Sequence, residues 1–300
     1  MSGGTIHFEN VGRRFGRRWV LRGLELDVQP GSVCGLLGRN GAGKTTLLRI
    51  ACGLLRPHEG SVRIAGLDPL RDPVGLRRAI GFAGPDLTLP SAWTVQRTLD
   101  FGAHAYADWN AARADHLRQR FALDARARVR DLSTGERAKL VLLLPLVRRP
   151  HVLLLDEPFG GLDIAVRREV LDGVIDILPD SDCTVLLTSH LVHELERLAD
   201  HVAILAGHDI AFCGSPEDLL ADVRRVVVRS PARPALDPKW DWVRRVEPWG
   251  EDWVLTTIGA AHDRARELAS AGLDVRQVEP AVFEDAAHAH LVEPVQEAVR

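Results

Sequence analysis

The run Gly38-Arg39-Asn40-Gly41-Ala42-Gly43-Lys44-Thr45 sets glycines, a lysine and a hydroxyl in the order a phosphate group calls for. Glycines at these spacings let the backbone turn tightly and aim its N–H groups at phosphate oxygens. Lys44 then reaches the outer phosphates, and the Thr45 hydroxyl suits a divalent cation. The bland alternative is a glycine turn with an incidental lysine. Lysine is scarce here, however: only Lys44, Lys139 and Lys239 occur in an arginine-rich chain. Farther on, Val152-Leu153-Leu154-Leu155-Asp156-Glu157 sets two carboxylates at the end of an apolar run. Asp156 is suited to hold a cation through water, and Glu157 to orient or deprotonate an attacking water. On their own such acids also read as the solvated end of a strand. His190 closes Thr188-Ser189-His190 and by itself reads as a surface or capping residue.

These groups need elements to bring them together. Ser32–Leu37 is a short apolar run between turn signals, which predicts a buried strand before the glycine loop. Lys44–Cys52 follows with Leu47, Leu48 and Ile50 on one side, which predicts a helix closed by Gly53 and Pro57. Val152–Leu155 and Thr184–Thr188 are continuous apolar runs, the mark of parallel strands covered on both faces. Ligands of such sheets bind at the carboxyl edge, where Asp156, Glu157 and His190 fall. Ile6–Val11 and Leu24–Val28 predict an antiparallel edge around the basic stretch Arg13–Arg22. The pattern is mostly helical from Pro90 to Leu140, then a helix carries Leu191, Leu195 and Leu198. Val202–Leu205 and Ile210–Cys213 predict a strand pair, and Ser215-Pro216-Glu217-Asp218 an N-cap with proline at the first helical position.

Composition shifts after Asp222, and Ser230–Pro234 with Pro238 reads as a proline-rich joint. Beyond it a strand (Trp253–Ile258), a helix (Ala261–Ala271) and a strand (Leu273–Val278) predict a small α+β appendage. Four of the seven tryptophans lie between Trp240 and Trp253. A chain of 300 residues buries roughly three quarters of its unfolded surface and needs no staples. The four scattered cysteines form no Cys-x-x-Cys pair, which argues against zinc and disulfides and fits a reducing compartment. A net charge of -3 gives no reason to expect nucleic acid. The N-terminus has no signal-peptide pattern, and the longest apolar run, Leu140–Val147, is too short to span a membrane.

With these residues in view, the chain resembles the ATP-binding cassette ATPases, the nucleotide-binding subunits of ABC transporters. Leu132-Ser133-Thr134-Gly135-Glu136-Arg137 is similar to that family's signature motif, and the resemblance runs from about Ile6 to Leu220. It implies an α/β fold: a P-loop NTPase core with an antiparallel β subdomain and a helical signature subdomain at about 88–140. Residues 1–222 then form the nucleotide-binding domain, and 223–300 a small C-terminal α+β domain resembling that of some bacterial drug- and lipid-exporter ATPases, down to the closing stretch Val282-Phe283-Glu284-Asp285. The resemblance implies ATP and Mg²⁺ as ligands and an ATPase that energises export through a separately encoded integral membrane permease. It also implies a homodimer or ATPase–ATPase dimer, no nucleic-acid partner, and a cytoplasmic chain held on the inner face of the membrane through the permease. By position, Phe15 matches the residue that stacks on adenine. Gly38, Arg39, Asn40, Gly41, Ala42, Gly43, Lys44, Thr45 and Thr46 match the phosphate loop. Asp156 and Glu157 match the magnesium-binding and catalytic acids, Leu162-Asp163 the loop that communicates across the dimer, and His190 the switch histidine. Ser133 and Gly135 match donors that close over ATP held by the opposite subunit.

One position departs from the family. The place of its magnesium-binding glutamine is taken by Pro85, whose side chain offers no ligand oxygen. Asp86 follows and stands in through a small shift, or that ligand is missing. Two other functions compete: a soluble ABC ATPase acting on nucleic acid or ribosomes, and a weakly hydrolysing regulatory subunit. The first usually carries twin cassettes, coiled-coil insertions or zinc cysteines, none of which is visible here; the second rests on Pro85.

Overall fold

The basic stretch near the N-terminus does not interrupt the first two strands; it is part of them. In a computed structural model, which describes residues 4–175, 183–259 and 261–295, β1 (Ile6–Phe15) and β2 (Arg18–Val28) run through the arginines as one antiparallel hairpin. Arginine side chains there stay out of the core by stacking on aromatic rings, Arg13 on Phe15 at 4.9 Å and Arg14 on Trp19 at 5.6 Å. After β3 (Val33–Gly38) and α1 (Lys44–Ala51), β4 (Glu59–Ile64) pairs antiparallel with β1 and completes a three-stranded sheet. The sequence reading lacked β4, because only Val62 and Ile64 of its six residues are buried.

Next come α2 (Pro73–Ala79), β5 (Ile80–Ala83), α3 (Val95–Ala105), α4 (Ala111–Arg120) and α5 (Thr134–Val147). The apolar run Leu140–Val147 is the second half of α5, largely buried under the helical segment. The chain continues through β6 (Val152–Asp156), α6 (Ile164–Ile175), β7 (Thr184–Ser189), α7 (Val192–Leu198), β8 (His201–Ala206), β9 (Asp209–Gly214) and α8 (Pro216–Asp222). Ser215 caps α8 with a reciprocal box to Asp218, as its sequence predicts.

The central sheet has the order β5-β6-β7-β3-β8-β9, parallel except for β9. Every residue of β6 and β7 is buried, which is why these strands read as unbroken apolar runs. Each Leu or Val buried there contributes roughly 1.5–3 kcal/mol. Because β6, β7 and β3 are neighbours, their carboxyl ends lie side by side, and the glycine loop, the two acids and His190 all leave from that edge.

The C-terminal segment forms its own antiparallel sheet, β11-β12-β10-β13, from β10 (Val223–Arg229), β11 (Val243–Trp249), β12 (Asp252–Ile258) and β13 (Asp274–Pro280), with α9 (Ala261–Ser270) beside it. The proline-rich joint therefore lies between two strands of one sheet, not at a boundary, and β10 begins directly after α8. Val282-Phe283-Glu284-Asp285 opens α10 (Phe283–Leu291), which returns to the central core. Phe283, Ala286, Ala287 and Ala289 join Leu195, Val202, Ile204 and Leu219 there, the alanines permitting a close approach. The four cysteines are unpaired, and burial pushes the Cys52 and Cys183 thiols up to about 12.

Arg148, 8% exposed at the end of α5, ties the helical segment to the sheet. It donates to the carbonyls of Arg77 and Arg78 and to the Asp108 carboxylate, and lies 4.0 Å from the Tyr106 ring centre. Arg148→Ala strands those acceptors and lowers stability by about 1–3 kcal/mol, since Asp108 is partly solvated. Thermal unfolding of the variant checks this; an unchanged midpoint rejects it.

Candidate active site

At Gly38 the chain leaves β3 and closes a turn with Ala42 N donating to Arg39 O at 3.0 Å. Gly41 (φ 79°) and Gly43 (φ 118°) occupy backbone conformations that side chains disfavour. At Gly43 a Cβ would also meet Leu21 Cδ2 at 2.8 Å, so any other residue would displace the loop from β2. The first ladder bond of α1 runs from Leu47 N to Gly43 O at 2.9 Å. The amides of Lys44, Thr45 and Thr46 thus lead the helix ahead of its ladder, at the positive end of its dipole. No acidic residue lies in that first turn to compete with an anion.

Lys44 is nearly enclosed, with a side chain 7% exposed, and its Nζ donates to Gly38 O at 2.7 Å. The same Nζ lies 3.1 Å from Glu157 Oε1. The other carboxylate oxygen, Glu157 Oε2, is 2.7 Å from His190 Nδ1, so an Nδ1–H donates to it. Glu157 is therefore held from both sides, by an ammonium from α1 and an imidazole from the end of β7. Its backbone has φ 45°, a left-handed conformation that costs a non-glycine residue about 1–3 kcal/mol. Thr188 sustains it: Glu157 N donates to Thr188 Oγ1 at 2.9 Å, and Thr188 Oγ1 donates to Asp156 Oδ1 at 2.8 Å. Asp156, 2% exposed, is thereby fixed at the end of β6. Sequence reasoning gave Thr188 no role; the available signal was a hydroxyl two residues before His190 on a strand beside the acids.

The structure thus joins Gly38, Lys44, Asp156, Glu157 and His190 into one cluster and sets Thr45 and Thr46 in the first turn above it. A cleft of about 1150 Å³ lies beyond the loop tip, lined by Arg39–Ala42, Arg18–Val20 and the C-terminal residues Trp242, Arg244, Arg264 and His290. It contains none of the cluster's charged groups, nor Phe15.

The ABC transporter family profile matches residues 21–160. The daunorubicin resistance ATP-binding protein DrrA3 of Streptomyces coeruleorubidus is 37% identical over 227 residues, covering 74% of this chain and 72% of that protein. This chain belongs to the ABC transporter ATP-binding proteins. An Fe(3+) ions import ATP-binding protein, FbpC 2 of Rhodococcus jostii (strain RHA1), is 33% identical over 224 residues, 72% of this chain and 63% of that one. Among solved structures, an ATP binding subunit of an ABC transporter superposes with a TM-score of 0.65 at 24% identity, over 72% of this chain and 92% of that one. The chain is thus the ATP-binding, ATP-hydrolysing subunit of a transporter, on the α/β cassette fold.

Within this ABC subunit the remaining sequence-predicted residues have other partners. Phe15 is 51% exposed at the end of β1, one face packed by Arg13. Ser133 caps α5: Glu136 N donates to Ser133 Oγ at 3.2 Å, and Ser133 N and Oγ donate to Glu136 Oε2 at 2.8 Å. Those bonds hold the Glu136 carboxyl below its usual range. Gly135 is small because α6 crosses it: a Cβ there would meet Val166 Cγ1 at 2.4 Å. Asp163 caps α6, accepting from Val166 N at 2.9 Å. Asp86 is exposed and pairs with Arg49 of α1, while Pro85 is exposed beside it. Among the described residues, no helix is long and apolar enough to cross a membrane.

Proposed function

We propose that this subunit powers export through a separately encoded integral membrane permease, acting as one of a pair of cassettes on the cytoplasmic face. The observation that carries the reading is Glu157 held between Lys44 and His190 at 3.1 and 2.7 Å. Before ATP arrives, Glu157 neutralises Lys44. An incoming γ-phosphate takes over the ammonium and frees Glu157, which then accepts a proton from the attacking water while His190 keeps the carboxylate aimed. Loop amides and Lys44 stabilise charge on the phosphoryl oxygens. Phe15 offers its open face to adenine.

Asp156 and Thr45 are hard oxygen donors of the kind Mg²⁺ takes, and Mg²⁺ supplies charge neutralisation to the phosphates. Among the described residues no group of three or more His, Cys, Asp or Glu is arranged to hold a metal ion by itself, so phosphate and water would have to supply further oxygens. Asp86 would offer a further oxygen donor once its exposed pair with Arg49 opened; pairs of that kind are worth only ~0–1 kcal/mol. Ser133 and Gly135, at the start of α5, close over ATP on a second cassette, and Asp163 communicates across that interface. Residues 223–300 act as an accessory domain that braces the core through α10. Export is favoured over import because a Nod factor export ATP-binding protein of Cupriavidus metallidurans is more similar than the Fe(3+) import protein, 35% against 33%, and is covered more fully, 72% against 63%.

The test is a pull-down from detergent-solubilised membranes of the producing cell. A polytopic partner that raises ATP turnover, and ATP-driven extrusion from cells expressing both, are expected. Turnover raised by DNA or ribosomes and by no membrane protein overturns the reading.

A further inference from the structure

Behind His190 lies a buried charge pair that the reaction above does not use. Glu194, on α7, is 3% exposed, and its Oε1 lies 3.0 Å from Nε of Arg167 on α6. The two atoms face each other as an ion pair without hydrogen-bond alignment. Glu194 Oε2 accepts from Ser189 Oγ at 3.0 Å, and Ser189 Oγ in turn accepts from Leu191 N at 3.0 Å. Ser189 and Leu191 are the residues on either side of His190. On its other side Arg167 donates through Nη2 to Leu162 O at 3.0 Å, and Leu162 directly precedes Asp163. One pair thus clamps both neighbours of the histidine to the loop before α6. Removing a carboxylate from water to this depth is expensive, and burial pushes the Glu194 carboxyl above its ordinary range. A pair retained against that penalty invites a role beyond stability. The clamp is also braced from outside, since α10 packs on α7 and joins Leu195 in the core.

We infer that Glu194 and Arg167 are positioning residues for hydrolysis: their pair fixes the segment Ser189–Leu191 against Leu162–Asp163, so that His190 meets Glu157 only when the α6 loop is in register. The inference rests on the roles assigned to Glu157 and His190 above. Neither residue is assigned a contact with ATP or with the attacking water. It acts through the backbone of the histidine loop, where a misplacement of about 1 Å costs on the order of a hundredfold in rate.

Four variants of the full chain test it in steady-state ATP hydrolysis, alongside the affinity for a non-hydrolysable ATP analogue and thermal unfolding. Glu194→Gln lowers kcat by about ten- to a hundredfold and leaves analogue affinity within about twofold, because the phosphate loop is untouched. Arg167→Met/Glu194→Leu removes both charges at similar volume, which is often neutral for folding, yet its kcat stays as low as that of Glu194→Gln. Arg197→Ala removes an exposed pair with Asp172 that joins the same two helices at 3.6 Å, and it keeps wild-type kcat. A folded variant that lacks the buried pair and keeps kcat within twofold of wild type overturns the proposal. His190→Ala separates the two readings. If it keeps wild-type kcat, the site assignment fails and the positioning role with it. If it loses kcat while the pairless variants do not, only the positioning role falls.

Discussion

Glu157→Gln lowers kcat for ATP hydrolysis by about 10²- to 10⁴-fold, the range that a positioned general base supplies. The amide keeps nearly the shape of the carboxylate, so the left-handed backbone at φ 45° and the Thr188 bond to Glu157 N survive. It accepts no proton from water, and it no longer neutralises Lys44 across 3.1 Å. The ammonium then meets the phosphates without a competing anion, so nucleotide affinity holds or improves while chemistry stops. Two cassettes closed on ATP consequently stay closed. Size exclusion with saturating ATP and Mg²⁺ shows the variant at dimer size where wild type returns to monomer. Wild-type turnover in the variant would remove Glu157 from the chemistry. Lost turnover with an unchanged elution volume would leave the base and remove the trapped dimer.

Much of this site was legible because it is written in contiguous residues. The phosphate loop declares itself through glycine spacing, and its flanking strand and helix through apolar patterns of the right length. Asp156 and His190 follow once β6 and β7 are recognised as neighbouring buried strands, since their ends must share an edge. Contacts between distant segments were not legible. Whether Asp86 faces a cation or Arg49 depends on where the turn after β5 meets α1. The size limit at Gly135 is set by Val166, 31 positions later in sequence but 2.4 Å from its would-be Cβ. β4 was missed because four of its six residues are exposed, so it has strand identity only through β1. The return of α10 was hidden for a similar reason: an alanine-rich stretch matches many surfaces, and only the fold chooses one. The basic hairpin misled in the opposite sense, because arginines stacked on Phe15 and Trp19 sit readily in strands that composition alone ends early.

Lys44→Ala weakens ATP binding by about 10- to 150-fold, equivalent to the ~1.5–3 kcal/mol that a hydrogen bond to a charged group contributes. Two effects add in that figure. The phosphates lose a donor, and Glu157, no longer neutralised, presents its charge to them. The variant is also less stable without nucleotide. Truncating one partner of a fully buried pair costs about 3–5 kcal/mol, but Glu157 is 20% exposed and keeps its bond from His190, which reduces the loss to about 1–3 kcal/mol. Lys44→Arg does not restore binding, because a planar fork does not fit a slot shaped for a single ammonium donating to Gly38 O. Calorimetric titration with ATP and thermal unfolding measure the two effects separately. The double variant Lys44→Ala/Glu157→Gln then identifies their source. If the stability loss comes from a stranded carboxylate, neutralising it recovers the midpoint of unfolding, while the missing phosphate donor keeps affinity below wild type. A double variant as unstable as Lys44→Ala would locate the loss in packing around the lysine stem instead, and the ion pair between α1 and Glu157 would cease to explain how the empty site is held ready.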